Sequence, residues 1–201
     1  MLDTTGQGAS FRILGLYPHP RYSGHVVLDE NGIVPGSAFV ASTRNLPTLD
    51  LRIASIKRRI ASSVAEYRPS IIVVVRSRGT AAIDTVSWEA IIAAEASGVP
   101  LRVKYEPALF DLLVDHETRG FDRLGQAVAR LFFPELERGL RAWRKGEEDR
   151  RRRPRSAWKA AAGAIAALAE TRPERVAVLA RAPLPEPLAL LLTRSSSPRT
   201  L

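Results

Sequence analysis

A continuous run of five β-branched residues, Ile71–Val75, constrains the fold of this chain more than any other feature. A strand without a polar residue on either side is typical of a central strand that is covered on both faces. The apolar spacing predicts a helix over Leu49–Tyr67 before it, and a helix over Thr85–Ala96 and a strand over Leu101–Tyr105 after it. Strand, helix and strand at this spacing predict a parallel crossover connection.

Three further strands are predicted ahead of this unit, over Phe11–Tyr17, Gly24–Asp29 and Val34–Ala41. The second and third are joined by Asn31-Gly32, a strong hairpin signal because both residues tolerate a positive φ. We therefore expect an α/β fold with a central mixed five-stranded sheet, a β-meander and flanking helices. The remaining predicted elements are helices over Glu106–Val114, Phe121–Phe133 and Ser156–Glu170, a strand over Arg175–Arg181, and an apolar segment of undefined form over Pro185–Thr193.

The charge of the chain favours a polyanionic partner. Thirty Lys and Arg against 21 Asp and Glu give a net charge of +9 and a pI of about 10.7. Such a balance is typical of nucleic-acid binding. An Arg-rich bias from GC-rich coding is the alternative explanation.

Several classes of site and location are disfavoured by what the sequence lacks. No cysteine is present, which excludes a disulfide framework, a thiolate zinc site and a Cys nucleophile. There is no phosphate-binding loop of the form G-x-x-x-x-G-K-[ST], no G-x-S-x-G and no G-x-G-x-x-G after a strand. No signal peptide or apolar stretch of about 18 residues is found, so we expect a cytoplasmic protein without a membrane partner.

The first predicted strand carries a recognisable motif. Residues 13–19 read I-L-G-L-Y-P-H, and residues 23–28 read S-G-H-V-V-L. This pair resembles the opening of the RuvC Holliday-junction resolvase family, I-L-G-I-D-P-G followed by T-G-Y-G-V-I. Tyr17 then stands where the family has its first metal-binding Asp.

Two weaker matches extend the resemblance. Residues 67–75, Y-R-P-S-I-I-V-V-V, are similar to the family's Y-x-P-D-x-x-A-I-E and place Val75 at a metal-binding Glu. The Ala-rich helix that begins at Ser156 is similar to D-A-A-D-A-L-A-x-A. There, Ser156 and Lys159 stand at two Asp positions.

The resemblance implies a ribonuclease H-like fold over residues 11–170, after a tail of residues 1–10 and before a C-terminal extension of residues 171–201. It also implies a degenerate site, because the family's chemistry needs clustered carboxylates for two divalent metals. Tyr, Val, Ser and Lys do not replace those ligands. We therefore expect no catalytic residues, no bound metal, no other cofactor, and contact between Tyr17 and Lys159 at the former site.

Relocated ligands are an alternative. Asp111, Asp115, His116 and Glu117 form a local cluster that is equally explained as a solvated helix end. His19 and His25 lie near the former metal site and suit a softer metal than Mg²⁺. Either set of ligands would preserve an active nuclease.

A basic segment, residues 137–155, precedes the Ala-rich helix. Arg pairs with phosphate oxygens, and an aromatic ring can stack on an exposed base. A flexible, solvated linker is the alternative. The candidate nucleic-acid-binding residues are Arg141, Trp143, Arg144, Lys145, Arg150, Arg151, Arg152, Arg153 and Arg155.

Two functions remain open from the sequence. The first is a catalytically inactive RuvC-like protein that binds DNA, including branched DNA, without cleaving it. The second is an interaction subunit that uses the same fold as a scaffold in a larger assembly, with a protein partner or as the homodimer that the resemblance implies.

Overall fold

A computed structural model describes residues 10–114, 123–133 and 148–196 of the chain. Its centre is a mixed sheet in the order β3-β2-β1-β5-β6, in which β4 also pairs with β2. The strands are β1 (Ile13–Tyr17), β2 (Tyr22–Asp29), β3 (Gly32–Ile33), β4 (Phe39–Ser42), β5 (Ile71–Arg76) and β6 (Leu101–Tyr105).

Helices cover both faces of the sheet. Helices α1 and α2 pack on one face, and the helices that follow β6 pack on the other. In the part of the chain that the structure describes, no helix is both long and apolar enough to cross a membrane. The helices are α1 (Leu49–Tyr67), α2 (Ala81–Glu95), α3 (Glu106–Leu113), α4 (Arg123–Phe132), α5 (Glu148–Thr171), α6 (Pro173–Leu179) and α7 (Glu186–Ser196).

The β-branched run occupies the predicted central position. Strand β5 pairs in parallel with β1 on one side and with β6 on the other. Val73, Val74 and Val75 are fully buried. The prediction of a buried strand beside the first strand, with a parallel crossover to the next, is confirmed. Because β1, β5 and β6 are parallel, their carboxyl ends lie at one edge of the sheet.

The third strand of the meander is broken in two, so the described sheet has six strands instead of the predicted five. Strands β3 and β4 pair with opposite ends of β2. Between them, Pro35 has no N–H to donate to β2, and Gly36 has a φ of +77°. The buried Ser37 hydroxyl replaces the missing strand hydrogen bonds here. It accepts from the Val27 N–H at 3.1 Å and lies 2.7 Å from the Val34 carbonyl oxygen. The single strand predicted over Val34–Ala41 is therefore wrong.

Two other predictions need correction. Helix α2 begins at Ala81 instead of near Thr85, because two alanines extend it toward its N-cap, Thr80. The predicted strand Arg175–Arg181 is instead helix α6, which begins at Pro173 and buries Val176 and Leu179, three residues apart, against the core.

Helix α5 also differs from its prediction. It begins at Glu148 instead of at Ser156, so Arg150–Arg153 belong to a helix and not to a linker. Its later part is packed across β2, β1 and β5. Alanine and glycine dominate that face, since their small side chains let the helix backbone lie close to the sheet.

Glycines on the sheet permit this close approach. A Cβ atom on Gly24 of β2 would lie 1.9 Å from the carbonyl oxygen of Ser156, and one on Gly15 of β1 would lie 2.2 Å from that of Ala160. Both contacts are with backbone, which has little room to move. The spacing places the successive turns of α5 directly over the strands whose ends form the candidate site.

Candidate nucleic-acid interface

Tyr17, Glu106 and Lys159 contact one another at the carboxyl edge of the sheet. Tyr17 is the last residue of β1, Glu106 directly follows β6, and Lys159 projects from α5. The Lys159 Nζ lies 2.5 Å from Glu106 Oε1 and donates to the Tyr17 hydroxyl at 3.2 Å. The Tyr17 hydroxyl donates to Glu106 Oε2 at 3.4 Å. The expected approach of Tyr17 and Lys159 is confirmed.

The surroundings of Lys159 keep its side chain charged. Burial alone lowers the pKa of this amine, but the neighbouring Tyr17 and Glu106 more than offset that effect, and the pKa of Lys159 is raised above its ordinary value. The Nζ also lies 4.7 Å from the centre of the Tyr17 ring, a further favourable position for a cation. An ammonium group is therefore a fixed feature of this edge at neutral pH.

A cleft of about 530 Å³ opens beside the triad formed by Tyr17, Glu106 and Lys159. Four of its lining residues are cationic, and no Asp or Glu is among the described residues that line it. A concave surface with one sign of charge concentrates the field and attracts the opposite charge. The cleft is lined by Tyr17, His19, Pro20, Arg21, Tyr22, Leu49, Arg52, Thr80, Ala82, Ile83, Arg155, Ser156 and Lys159.

Three of the four predicted degenerate positions meet in this cleft. Tyr17, Ser156 and Lys159 all line it. Val75 does not, because it is fully buried beneath α5, where a Cβ atom on Gly163 would lie 2.4 Å from its Cγ2. The apolar side chain at this position is thus part of the helix–sheet packing.

The side chains of Tyr17, Glu106 and Lys159 do not fit a divalent metal ion. Mg²⁺ binds oxygen ligands, but the one carboxylate in the triad, Glu106, is already paired with the Lys159 ammonium. A cation brought to this place would meet the positive charge of Lys159. Within the described ranges, no group of three or more His, Cys, Asp or Glu residues is arranged to hold a metal.

The two histidines near the cleft have other contacts. His25 is buried and stacks on Phe39 with 4.7 Å between ring centres. Burial, helped by the charge of Arg59, lowers the pKa of His25 from 6.5 to about 4. The Nδ1 of His19 accepts backbone N–H groups of Arg21 and Tyr22 at 3.2 and 3.3 Å and so holds the turn between β1 and β2.

The alternative acidic cluster is described only in part. Asp111 lines a shallow groove with Arg78, Glu106, Pro107 and Phe110. Asp115, His116 and Glu117 lie outside the described residues, so the cluster stays a prediction.

Sequence reasoning overlooked Glu106. One signal was available, since Glu106 is the first residue after a strand predicted to run parallel to its neighbour. The carboxyl ends of parallel strands meet at one sheet edge, which places such a residue near Tyr17. Arg52 was also missed. The sequence pattern of its helix shows that Arg52 is not one of the apolar core positions, but it does not show which cleft the side chain lines.

The predicted basic interface is described in part. The backbone of Arg150–Arg153 lies in α5, and Arg155 lines the cleft. The side chain of Trp158, which the sequence places near this segment, is buried and stacks on Phe133 with 6.4 Å between ring centres. Trp158 is thus a core residue and not a platform for a base. Arg141, Trp143, Arg144 and Lys145 lie outside the described residues.

The mixed sheet, its meander and the helices on both faces define a RuvC-like, ribonuclease H-like fold. The solved structures that share it include two of RuvC. T. thermophilus RuvC in complex with a Holliday junction substrate is 16% identical, with a TM-score of 0.55 over 81% of this chain and 96% of that one. The structure of Thermus thermophilus RuvC is 17% identical, with a TM-score of 0.55 over 85% of this chain and 98% of that one. No protein-family model matches the sequence, and no curated protein does.

Proposed function

We propose that the chain is a catalytically inactive RuvC-like protein that binds DNA, including branched DNA, without cleaving it. The observation that carries this proposal is the Lys159 ammonium, held between Tyr17 and Glu106 at the carboxyl edge of the sheet. A permanent cation stands there in place of a set of carboxylates. The binding unit would be residues 11–170, with residues 171–201 as an extension, in a cytoplasmic protein.

The loss of cleavage follows from the chemistry of the side chains. Two-metal hydrolysis of a phosphodiester needs several carboxylates that hold both ions about 4 Å apart. Tyr17 and Lys159 offer a hydroxyl and an ammonium, and Val75 offers no ligand atom. Glu106 supplies a single carboxylate, which is too few ligands for two metal ions, and its charge is already balanced by Lys159.

Retention of DNA binding is supported by charge and by likeness. The chain has a net charge of +9, and Arg21, Arg52, Arg155 and Lys159 line one cleft. A solved structure with the same fold, T. thermophilus RuvC, is a complex with a Holliday junction substrate. Lys and Arg side chains bind a phosphate backbone directly, so DNA binding does not depend on metal ligands.

The test combines a binding assay with a cleavage assay. Purified protein is titrated against a labelled four-way junction, a duplex and a single strand at several salt concentrations. We expect binding that weakens as salt rises and no nicking of the junction with Mg²⁺ or Mn²⁺. Specific nicking that a chelator abolishes would refute inactivity, and absence of binding to all three DNAs at low salt would refute the DNA-binding function.

A second candidate function, an interaction subunit, is favoured by an exposed apolar patch that we define as Trp88, Ile92, Val103 and Tyr105. Trp88 and Ile92 lie one turn apart on α2, and the other two lie on the edge strand β6; each is more than a third exposed. The Arg76 guanidinium lies 4.5 Å from the Trp88 ring centre and 5.7 Å from that of Tyr105. Exposed Trp and Tyr beside Arg are typical of protein interfaces. In this function the patch joins two copies of the chain.

Light scattering after gel filtration tests the second function. A homodimer through the patch should become a 22.1 kDa monomer in a Trp88→Glu variant. Val178→Glu, which adds the same charge at an exposed apolar residue of α6, is the control and should stay dimeric. A wild-type monomer at high concentration would argue against this function.

A further inference from the structure

We propose that Lys159 takes the place of a divalent cation and that the cleft beside it binds a phosphate ester directly, without a metal ion. The inference builds on the proposed loss of the metal site and specifies the ligand of that site. Its basis is the disagreement between a fold used by metal-dependent nucleases and the side chains found at this sheet edge.

The first support is the geometry of the ammonium. A Lys ammonium has three N–H donors and no acceptor. Among the described residues, Glu106 and Tyr17 account for two of them. One donor is left for an anion, and the other two contacts fix the position of the charge before a ligand binds.

The second support is the balance of charge around the cleft. Lys159, Arg52, Arg155 and Arg21 bring four positive charges to its walls, and Glu106, which lies behind Lys159, offsets one of them. Arg and Lys are the side chains that bind phosphate oxygens most strongly. The excess of positive charge selects an anion and rejects a divalent cation.

The third support is the size and the polar lining of the cleft. Its volume of about 530 Å³ is that of a small-molecule site and not of a single ion. Tyr22, Thr80 and Ser156, which carry hydroxyl groups, also line the cleft, and hydroxyls donate to phosphate and sugar oxygens. A phosphate with an attached sugar, free or within a nucleic-acid strand, fits both the chemistry and the space.

The inference makes two mutational effects opposite in sign. Lys159→Met removes a charged donor and should weaken phosphate-ester binding by about tenfold or more. Glu106→Gln removes the carboxylate that competes with the ligand for the ammonium, and it should tighten binding. A residue that only maintained the fold would not produce tightening.

The experiment is a set of titrations on the full chain in two buffers, one with a chelator and one with Mg²⁺. The probes are a labelled four-way junction, a thymidine dinucleotide, thymidine monophosphate and inorganic phosphate. Lys57→Met and Glu89→Gln are matched controls, since Lys57 and Glu89 form an ion pair of the same 2.5 Å length between α1 and α2, and neither residue lines the cleft.

We expect binding in the chelator buffer that Mg²⁺ does not strengthen. Binding should be weaker in Lys159→Met and tighter in Glu106→Gln than in the matched controls. Binding that requires Mg²⁺ would overturn the inference, as would Lys159→Met behaving like Lys57→Met. If Lys159→Met does not melt cooperatively, the double variant Lys159→Met/Glu106→Gln, which leaves no unpaired charge, takes its place.

The probes separate this inference from the proposed function. Binding of the monophosphate or the dinucleotide without binding of junction DNA would support the cleft site and refute the DNA-binding function. Junction binding that is unchanged in Lys159→Met would support the function and refute the cleft site.

Discussion

The Lys159 ammonium lies 3.2 Å from the Tyr17 hydroxyl, although 142 residues separate the two along the chain. One residue ends the first strand, and the other projects from the long helix that crosses the sheet. Both stand at positions where the resemblance to RuvC resolvases expects a carboxylate. A cation at one of these positions and a hydroxyl at the other both disfavour a divalent metal ion, as the proposed loss of the metal site requires.

Placing carboxylates at these two positions should therefore create a divalent metal site. In the double variant Tyr17→Asp/Lys159→Asp, Glu106 loses its ion pair and gains two acidic neighbours. Without metal, their repulsion should lower the melting temperature. At a Mn²⁺ concentration a hundredfold above its Kd, binding should return about 2.7 kcal/mol of stability.

Calorimetric titration with Mn²⁺ and Mg²⁺ checks this prediction. A Lys57→Asp variant makes the same Lys-to-Asp change at a residue that does not line the cleft, and it should gain no site. Equal metal affinity in the wild type and the double variant would contradict the assignment of Tyr17 and Lys159.

The arginine run on α5 should contribute through the phosphate backbone. Changing Arg150–Arg153 to Ala should weaken binding to all DNA sequences alike, because phosphate contacts carry no base information. The slope of log K against log salt should fall by roughly 0.9 for each phosphate that the variant no longer neutralises.

Fluorescence anisotropy at several salt concentrations measures that slope. Changing the exposed Arg58 and Arg59 of α1 to Ala is the control for loss of net charge and should have the smaller effect per residue. An unchanged affinity and slope in the quadruple variant would assign the run to solvent and favour the interaction-subunit function.

The close packing of α5 on the sheet should not tolerate an added methyl group. Gly24→Ala places a Cβ 1.9 Å from the Ser156 carbonyl oxygen, so the helix or the strand must shift. We expect a loss of about 1–3 kcal/mol and a fall in melting temperature of about 2–4 °C for each kcal/mol. Gly79→Ala is the control, because the one short contact of its new Cβ, 2.6 Å, would be with the movable Cδ1 of Ile83. Equal melting temperatures of the two variants would show that the helix is not held this closely.

His25 should make stability depend on pH in the acid range. Its pKa is about 4 in the folded protein and 6.5 as an ordinary value, so the unfolded chain takes up the proton more readily. The contribution of the buried neutral ring is complete above pH 6.5 and is lost as pH falls from 6.5 through 4, by about 3 kcal/mol in all.

Urea unfolding of the wild type and of His25→Phe between pH 7.5 and 4.5 isolates this effect. Phe has a similar shape and should keep the stacking on Phe39. The variant should lose less stability than the wild type over this interval. Parallel curves for the two proteins would mean that His25 does not titrate as the geometry requires.

Local residue patterns were enough to predict part of the fold. The run Ile71–Val75 predicted the central strand because no polar residue interrupts it, and the apolar spacing predicted helix α1 with its observed ends. The motif around Tyr17 also pointed to the RuvC-like fold. Each of these signals is carried by residues that are neighbours in the chain. Their apolar spacing indicates directly whether one face or both faces of the element are buried.

The other features depend on contacts between distant parts of the chain. Pro35 and Gly36 split a strand that the apolar pattern alone joins, and residues after Pro173 become helix because Val176 and Leu179 find a core to pack against. The site depends on such distant contacts even more. Glu106 has the pattern of an ordinary helix-start acid until the parallel strands bring their carboxyl ends together and α5 sets Lys159 beside it. Pairings of this kind are set by which strands are neighbours and how closely a helix approaches them, and local residue patterns do not encode either.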